Sequence, residues 1–121
     1  MASNEGLVKS YLADAAIASY SIVSVGSDDN HVVGSTAGTD SHVGVSDKIG
    51  ASEQDSTVDV VVGGIAYVLY GSAVSKGAFV SANADGRAVP AVSGDRVVGR
   101  AEKTGVNGDI GLVLLAPFDI A

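Results

Sequence analysis

The stretch Phe79-Val-Ser-Ala-Asn-Ala-Asp-Gly-Arg-Ala-Val-Pro90 sets two short apolar runs around Asp85-Gly86, a pair suited to a tight hairpin turn. The same stretch stands earlier in degenerate form as Ile22-Val-Ser-Val-Gly-Ser-Asp-Asp-Asn-His-Val-Val33, matching Val23 with Val80, Ser24 with Ser81, Asp28 with Asp85 and Val32 with Val89. Working outward, Asp40–Gly50 lies over Asp95–Gly105, with Val43/Val98, Gly44/Gly99 and Lys48/Lys103 in register. Val58, Val60 and Val62 then fall over Ile110, Leu112 and Leu114. Most of Leu12–Val62 is thus repeated in Leu69–Leu115. Two repeats are too few for a solenoid, so the expectation is one closed domain with internal pseudo-twofold symmetry.

Strands are expected over Tyr20–Gly26, His31–Val33, His42–Ser46, Thr57–Val62, Ile65–Tyr70, Phe79–Asn83, Arg87–Val92, Val97–Ala101 and Ile110–Leu115, with loops at Gly50–Ser56 and Lys103–Gly108. Tyr11–Ala18 is Ala-rich, but its counterpart Val68–Ser75 contains Gly71, which argues against a helix in either. A two-residue Asp85-Gly86 turn would put Val80, Ala82, Val89 and Ala91 on one face and Phe79, Ser81 and Ala88 on the other. Pro90 belongs at an edge or at a position that donates no hydrogen bond. Gly44 and Gly99 mark places where a strand bends or another backbone comes close. The fold class is therefore all-β, a small barrel (tulip-like or sandwich-like) built by duplication. Residues 1–10 read as a flexible arm and 11–121 as a single β-barrel domain.

At 121 residues with 46% hydrophobic content supplied mostly by Val and Ala, the chain builds one thin core. A net charge of −7 with seven scattered basic residues disfavours nucleic acid as a partner. No apolar run reaches the roughly 18 residues of a membrane span, and Met1–Ser10 has no hydrophobic signal core, so neither insertion nor export is expected. Without cysteine there is no disulfide, thiolate zinc site or thiol nucleophile.

Candidate chemistry is sparse. Asp40, Ser41 and His42 would have to converge in a cleft to form a hydrolytic site, and no nucleophile elbow accompanies them. Asp28-Asp29-Asn30-His31 and Asn83-Ala84-Asp85-Gly86 offer oxygen ligands, yet neither completes a calcium loop and turn formation accounts for both. Asp47, Glu53, Asp55 and Asp59 read as solvated charge. Gly94-Asp95-Arg96-Val97-Val98-Gly99 lacks the Lys-Ser/Thr of a phosphate loop. No catalytic residue, metal ligand or cofactor is assigned, and an enzyme is not expected.

The ordered motifs Ala16-Ile17, Tyr20-Ser21-Ile22-Val23, Val43-Gly44-Val45, Gly64-Ile65-Ala66, Gly77-Ala78-Phe79-Val80, Asp85-Gly86-Arg87-Ala88-Val89, Val98-Gly99 and Gly108-Asp109-Ile110 into Val113-Leu114-Leu115-Ala116-Pro117 resemble the tailed-phage capsid decoration (cement, head-stabilising) proteins. The resemblance implies a small β-barrel, often a homotrimer, made in the bacterial host cytoplasm. It would coat the exterior of the expanded capsid in the virion, binding and bridging neighbouring major capsid subunits. Two surfaces suit such a role. An arm of Ala2, Ser3, Asn4, Glu5, Leu7, Val8 and Lys9 is placed to order on the capsid by strand addition. The apolar run Ile110, Leu112, Val113, Leu114 and Leu115, with Phe118, is read as a strand covered on both faces, hence central or at an oligomer interface. The alternative is a small β-barrel binding module on a phage or bacterial surface recognising carbohydrate or a host protein, which Tyr11, Tyr20, Tyr67 or Tyr70 around a groove would favour.

Overall fold

The computed structural model describes residues 7–115, among which there are ten strands and no helix. They are β1 (Val8–Ala13), β2 (Ile22–Val25), β3 (His31–Gly34), β4 (His42–Ser46), β5 (Thr57–Val61), β6 (Ile65–Leu69), β7 (Phe79–Ala82), β8 (Ala88–Pro90), β9 (Gly99–Ala101) and β10 (Ile110–Leu115). Of the arm expected over residues 1–10, the last three residues are strand instead. Val8, Lys9 and Ser10 open β1 and pair with Val61, Val60 and Asp59 of β5, because the edge of β5 offers them a ladder. Residues 2–5 of the arm and Phe118 lie outside the described residues.

The duplication is explicit in the strand order. In the first repeat β1-β3-β2-β4-β5 closes into a barrel, and the second repeat runs β6-β10-β9-β7-β8, the same circular order cut between β6 and β8. In the first repeat the corresponding seam is zipped by the parallel pairs Leu12↔His31 and Ala13↔Val32. In the second only the bridge Tyr70↔Ala88 spans it. Pro90 stands at this edge, as expected. Arg87 and Ala91 direct their backbone bonds to β7, so alternation turns the missing N–H of Pro90 toward the open seam.

Two registers differ from the sequence reading by one residue. The second-repeat hairpin pairs Val80↔Pro90, Ser81↔Val89 and Ala82↔Ala88, leaving a five-residue connection instead of two. Asn83 holds it: its carboxamide oxygen accepts the N–H of Asp85 (2.9 Å) and of Arg87 (3.0 Å). Gly86 sits at φ 74°, closing a turn with a glycine bulge. The odd loop length moves Ala88 to the face of Val80 and Ala82, and Val89 to that of Ser81. Likewise β5 and β10 correspond as Thr57/Ile110, Asp59/Leu112 and Val61/Leu114, since Leu12↔Thr57 in the first repeat matches Leu69↔Ile110 in the second.

Each repeat fills its interior differently. Ala13, Val23, Val32, Val58 and Val60 pack inside the closed barrel. In the second repeat the counterparts of Ala13 and Val58 are Tyr70 and Gly111, a large–small exchange in which the Tyr70 ring lies where a Gly111 side chain would be. Tyr70 is fully buried and its hydroxyl donates to the Lys103 carbonyl at 2.6 Å.

The open barrel is completed by the other repeat. Ile22, Val45 and Val61 lie side by side on the outer face of the first barrel and pack into one core with Ala66, Val68, Val80, Ala88, Val98 and Val113 of the second. Backbone bonds stitch the join: Leu69 N–H to Tyr20 O at 3.0 Å and Ile22 N–H to Gly86 O at 2.8 Å. Tyr20 pays for this position with φ 53°, a conformation that its counterpart Gly77 (φ 92°) adopts freely.

Gly44 and Gly99 are close-approach points, because a Cβ on either would run into the carbonyl oxygen of Val61 or Leu114 on the neighbouring strand. Gly44→Ala should therefore cost about 2 kcal/mol in urea unfolding, whereas Gly34→Ala, with no heavy atom within 4 Å of the added Cβ, should stay within about 0.5 kcal/mol of the parent.

Candidate functional site

The most distinctive surface is the outer face of the second repeat's sheet, where β10 lies between β6 and β9. Register fixes its rows. Ile65, Leu114, Arg100 and Phe79 stand in line across four strands, followed by Tyr67 beside Leu112 and then Leu69 beside Ile110. Phe79 is 56% exposed, Tyr67 and Ile110 45% and Leu114 37%, while Ile65, Leu69 and Leu112 are half-buried. Tyr20 extends the face from the first repeat, its ring edge-on to that of Tyr67 with centroids 6.1 Å apart. Arg100 supplies its cation, paired with Glu102 at 3.4 Å.

The expected interface run divides on this strand. Ile110, Leu112 and Leu114 face outward as such a surface requires. Val113 does not: it is fully buried in the core, and Leu115 packs against that core, because a strand turns alternate residues to opposite faces. The residues missed are Ile65, Leu69, Phe79 and Arg100, while Tyr67 is named only for the alternative binding module. The alternation of Ile65, Tyr67 and Leu69 was a visible signal, but which strand they adjoin was not. Where β5 runs into β6, Leu7 is 61% and Val8 47% exposed, with Leu7 tied to Val62 and Gly63 by backbone bonds and Lys9 placed 5.2 Å from the Tyr11 ring centre.

The residues weighed for catalysis are committed elsewhere. His42 lies between the repeats. Its Nε2 is 3.2 Å from the Gly38 carbonyl and its Nδ1 3.1 Å from Ser35 Oγ, so the proton is assigned to Nε2 and Ser35 donates to Nδ1. Burial holds its pKa below the ordinary imidazole range, which keeps the ring neutral. Ser24 bonds Ser35, and Ser81 donates to the Arg96 carbonyl at 2.7 Å; all three hydroxyls are buried, unlike a nucleophile that must meet substrate. The Asp40 carboxylate accepts from the N–H groups of Thr36 (2.9 Å) and Ala37 (3.2 Å) instead of orienting His42. Among the described residues no cluster of three or more His, Asp and Glu is arranged to hold a metal ion. Asp47 caps a turn through Ile49 and Gly50, and Asp59 accepts from Ser10 Oγ at 2.7 Å. Of the four tyrosines, Tyr70 is core and Tyr11 lies apart under Lys9, so only Tyr20 and Tyr67 meet.

His31 forms a clasp. Its Nδ1 is 2.7 Å from Asp28 and its Nε2 2.9 Å from Asp55, joining the β2–β3 turn to the loop before β5. Hydrogen bonds to Asp55 and then to Asp28 raise the imidazole pKa to about 9, so the folded protein favours the protonated ring. The clasp's contribution is complete below the unfolded pKa of 6.5 and disappears as pH rises through about 9. Thermal unfolding followed from pH 6 to 10 should show stability falling over that window, and His31→Gln should flatten that part of the profile.

No protein-family model matches the chain, and no curated protein matches it. Among solved structures it is similar to the head fiber gp8.5 N base in bacteriophage phi29, with a TM-score of 0.73 and 18% sequence identity over 95% of this chain and 98% of that one. At that identity the likeness concerns the backbone, and it runs nearly end to end in both chains. The protein has the fold of a phage head fiber base.

Proposed function

We propose that the chain is a structural protein of a phage virion, bound to the outer surface of the expanded head and stabilising it by bridging neighbouring major capsid subunits. The observation that carries this reading is the nearly full-length likeness to a head fiber base, in which both chains are covered almost completely. The site chemistry supports it: buried serines, a neutral buried histidine and carboxylates spent on turns serve a scaffold, not a reaction. A protein of this kind acts by mass action. Binding only the assembled lattice, it adds about 2.7 kcal/mol per site when its free concentration is 100 times its dissociation constant. In this reading the protein is a homotrimer on the capsid exterior, synthesised in the host cytoplasm. Residues 2–5 with Leu7, Val8 and Lys9 make the capsid contact, Leu7 and Val8 being apolar side chains open to solvent at the end of the first barrel.

A binding module for carbohydrate or a host protein is the second reading. It is favoured by the Tyr20–Tyr67 pair beside a recess of about 230 Å³ lined by Ser19, Ser21, Leu69, Asp85 and Arg87.

Co-sedimentation with undecorated heads of the cognate phage separates the two. Saturable binding to expanded heads and none to unexpanded precursor shells is expected, and deletion of residues 2–6 should weaken it about tenfold, or 1.4 kcal/mol. Failure to bind either shell would leave the module reading in front.

A further inference from the structure

The two repeats form a comparison within one chain. The outer row Ile22–Val45–Val61 of the first repeat corresponds in the sheet registers to Phe79–Arg100–Leu114 of the second. The first row is buried, plugging the open barrel of the second repeat. The second row is uncovered, with Phe79 56% and Leu114 37% exposed. Beside it the repeats have diverged in one direction: Ser10, Thr57 and Asp59 on the first barrel are replaced by Tyr67, Ile110 and Leu112 on the second. Folding does not require those apolar side chains, since the first repeat makes the same ladder with polar residues in their places.

We propose that this outer face of the second repeat is a contact surface for a second copy of the chain within the homotrimer. It rests on the oligomeric part of the reading above and names the surface that carries it. The seam between β6 and β8 is already filled by the chain's own first repeat and the first barrel is closed, so neither is open to a second copy. What remains free to pair is the face itself. Its charges favour a like partner: the chain carries −7, but the face bears Arg100 and Glu102, which neutralise each other, so acidic subunits meet there without like-charge repulsion. At 4.8 Å between strands and 3.4 Å per residue, the three rows cover roughly 300 Å². That area fits the apolar centre of an interface of about 800 Å² per partner, with a polar rim around it.

The test grafts the first repeat's residues onto the second: Tyr67→Ser, Ile110→Thr and Leu112→Asp together, in the full chain. Native mass spectrometry and sedimentation equilibrium at micromolar concentration should show the parent as a multiple of 12.0 kDa and the variant as a monomer, with strand circular dichroism retained. A monomeric parent, or a folded variant that keeps the parent's mass, overturns the proposal. If the triple variant loses its strand signal, Tyr67→Ser alone decides: its subunit dissociation constant should rise at least about tenfold, and an unchanged constant overturns the proposal. Head co-sedimentation is run in parallel. An oligomeric parent that binds no heads removes the capsid reading and leaves this face standing, whereas head binding by a parent that is monomeric does the reverse.

Discussion

The structure depends on an incomplete barrel and the row of three side chains that completes it. β6 and β8 meet only through Tyr70 and Ala88, so the interior of the second repeat would open to water along that seam. Ile22, Val45 and Val61 close it from outside, and the backbone of Tyr20–Ile22 supplies hydrogen bonds to Leu69 and Gly86. A gap in a ladder exposes both apolar interior and unpaired backbone, and this one insertion answers both. The left-handed backbone of Tyr20 is the local cost of that geometry.

The same join explains where the buried polar groups are. Ser24, Ser35, His42 and Ser81 gather between the repeats, each hydroxyl or ring nitrogen finding a partner, and no buried side-chain nitrogen or oxygen among the described residues lacks one. Buried polar groups satisfied in this way fix one packing of the two barrels over others, because any slip would strand them without partners. The residues that looked most like chemistry in the chain therefore act as a specificity device for the join.

The two repeats divide the labour between them. The first repeat is closed and carries Ser10, Thr57 and Asp59 beside the apolar row that completes its neighbour, while the second presents a broad apolar face with the Arg100–Glu102 ion pair.

Much of the architecture was legible in the residues. The repeat, the strand content, the edge position of Pro90 and the close approaches at Gly44 and Gly99 follow from local rules: alternation, a missing N–H and a missing Cβ. What the chain alone could not determine was register. A five-residue connection held by Asn83 and a two-residue Asp85-Gly86 turn differ by one residue, and that residue exchanges the faces of Ala88 and Val89. The same one-residue ambiguity hid the correspondence of Asp59 with Leu112, on which the reading of the apolar face turns. Sequence located every strand but β1, because strand formation answers largely to neighbours along the chain, whereas Val8–Ala13 is drawn into the sheet by the distant β5. Only tertiary structure decided that one barrel closes on itself and the other on its twin, because that choice is made by side chains such as Val45 and Val113, far apart in sequence and joined in one core.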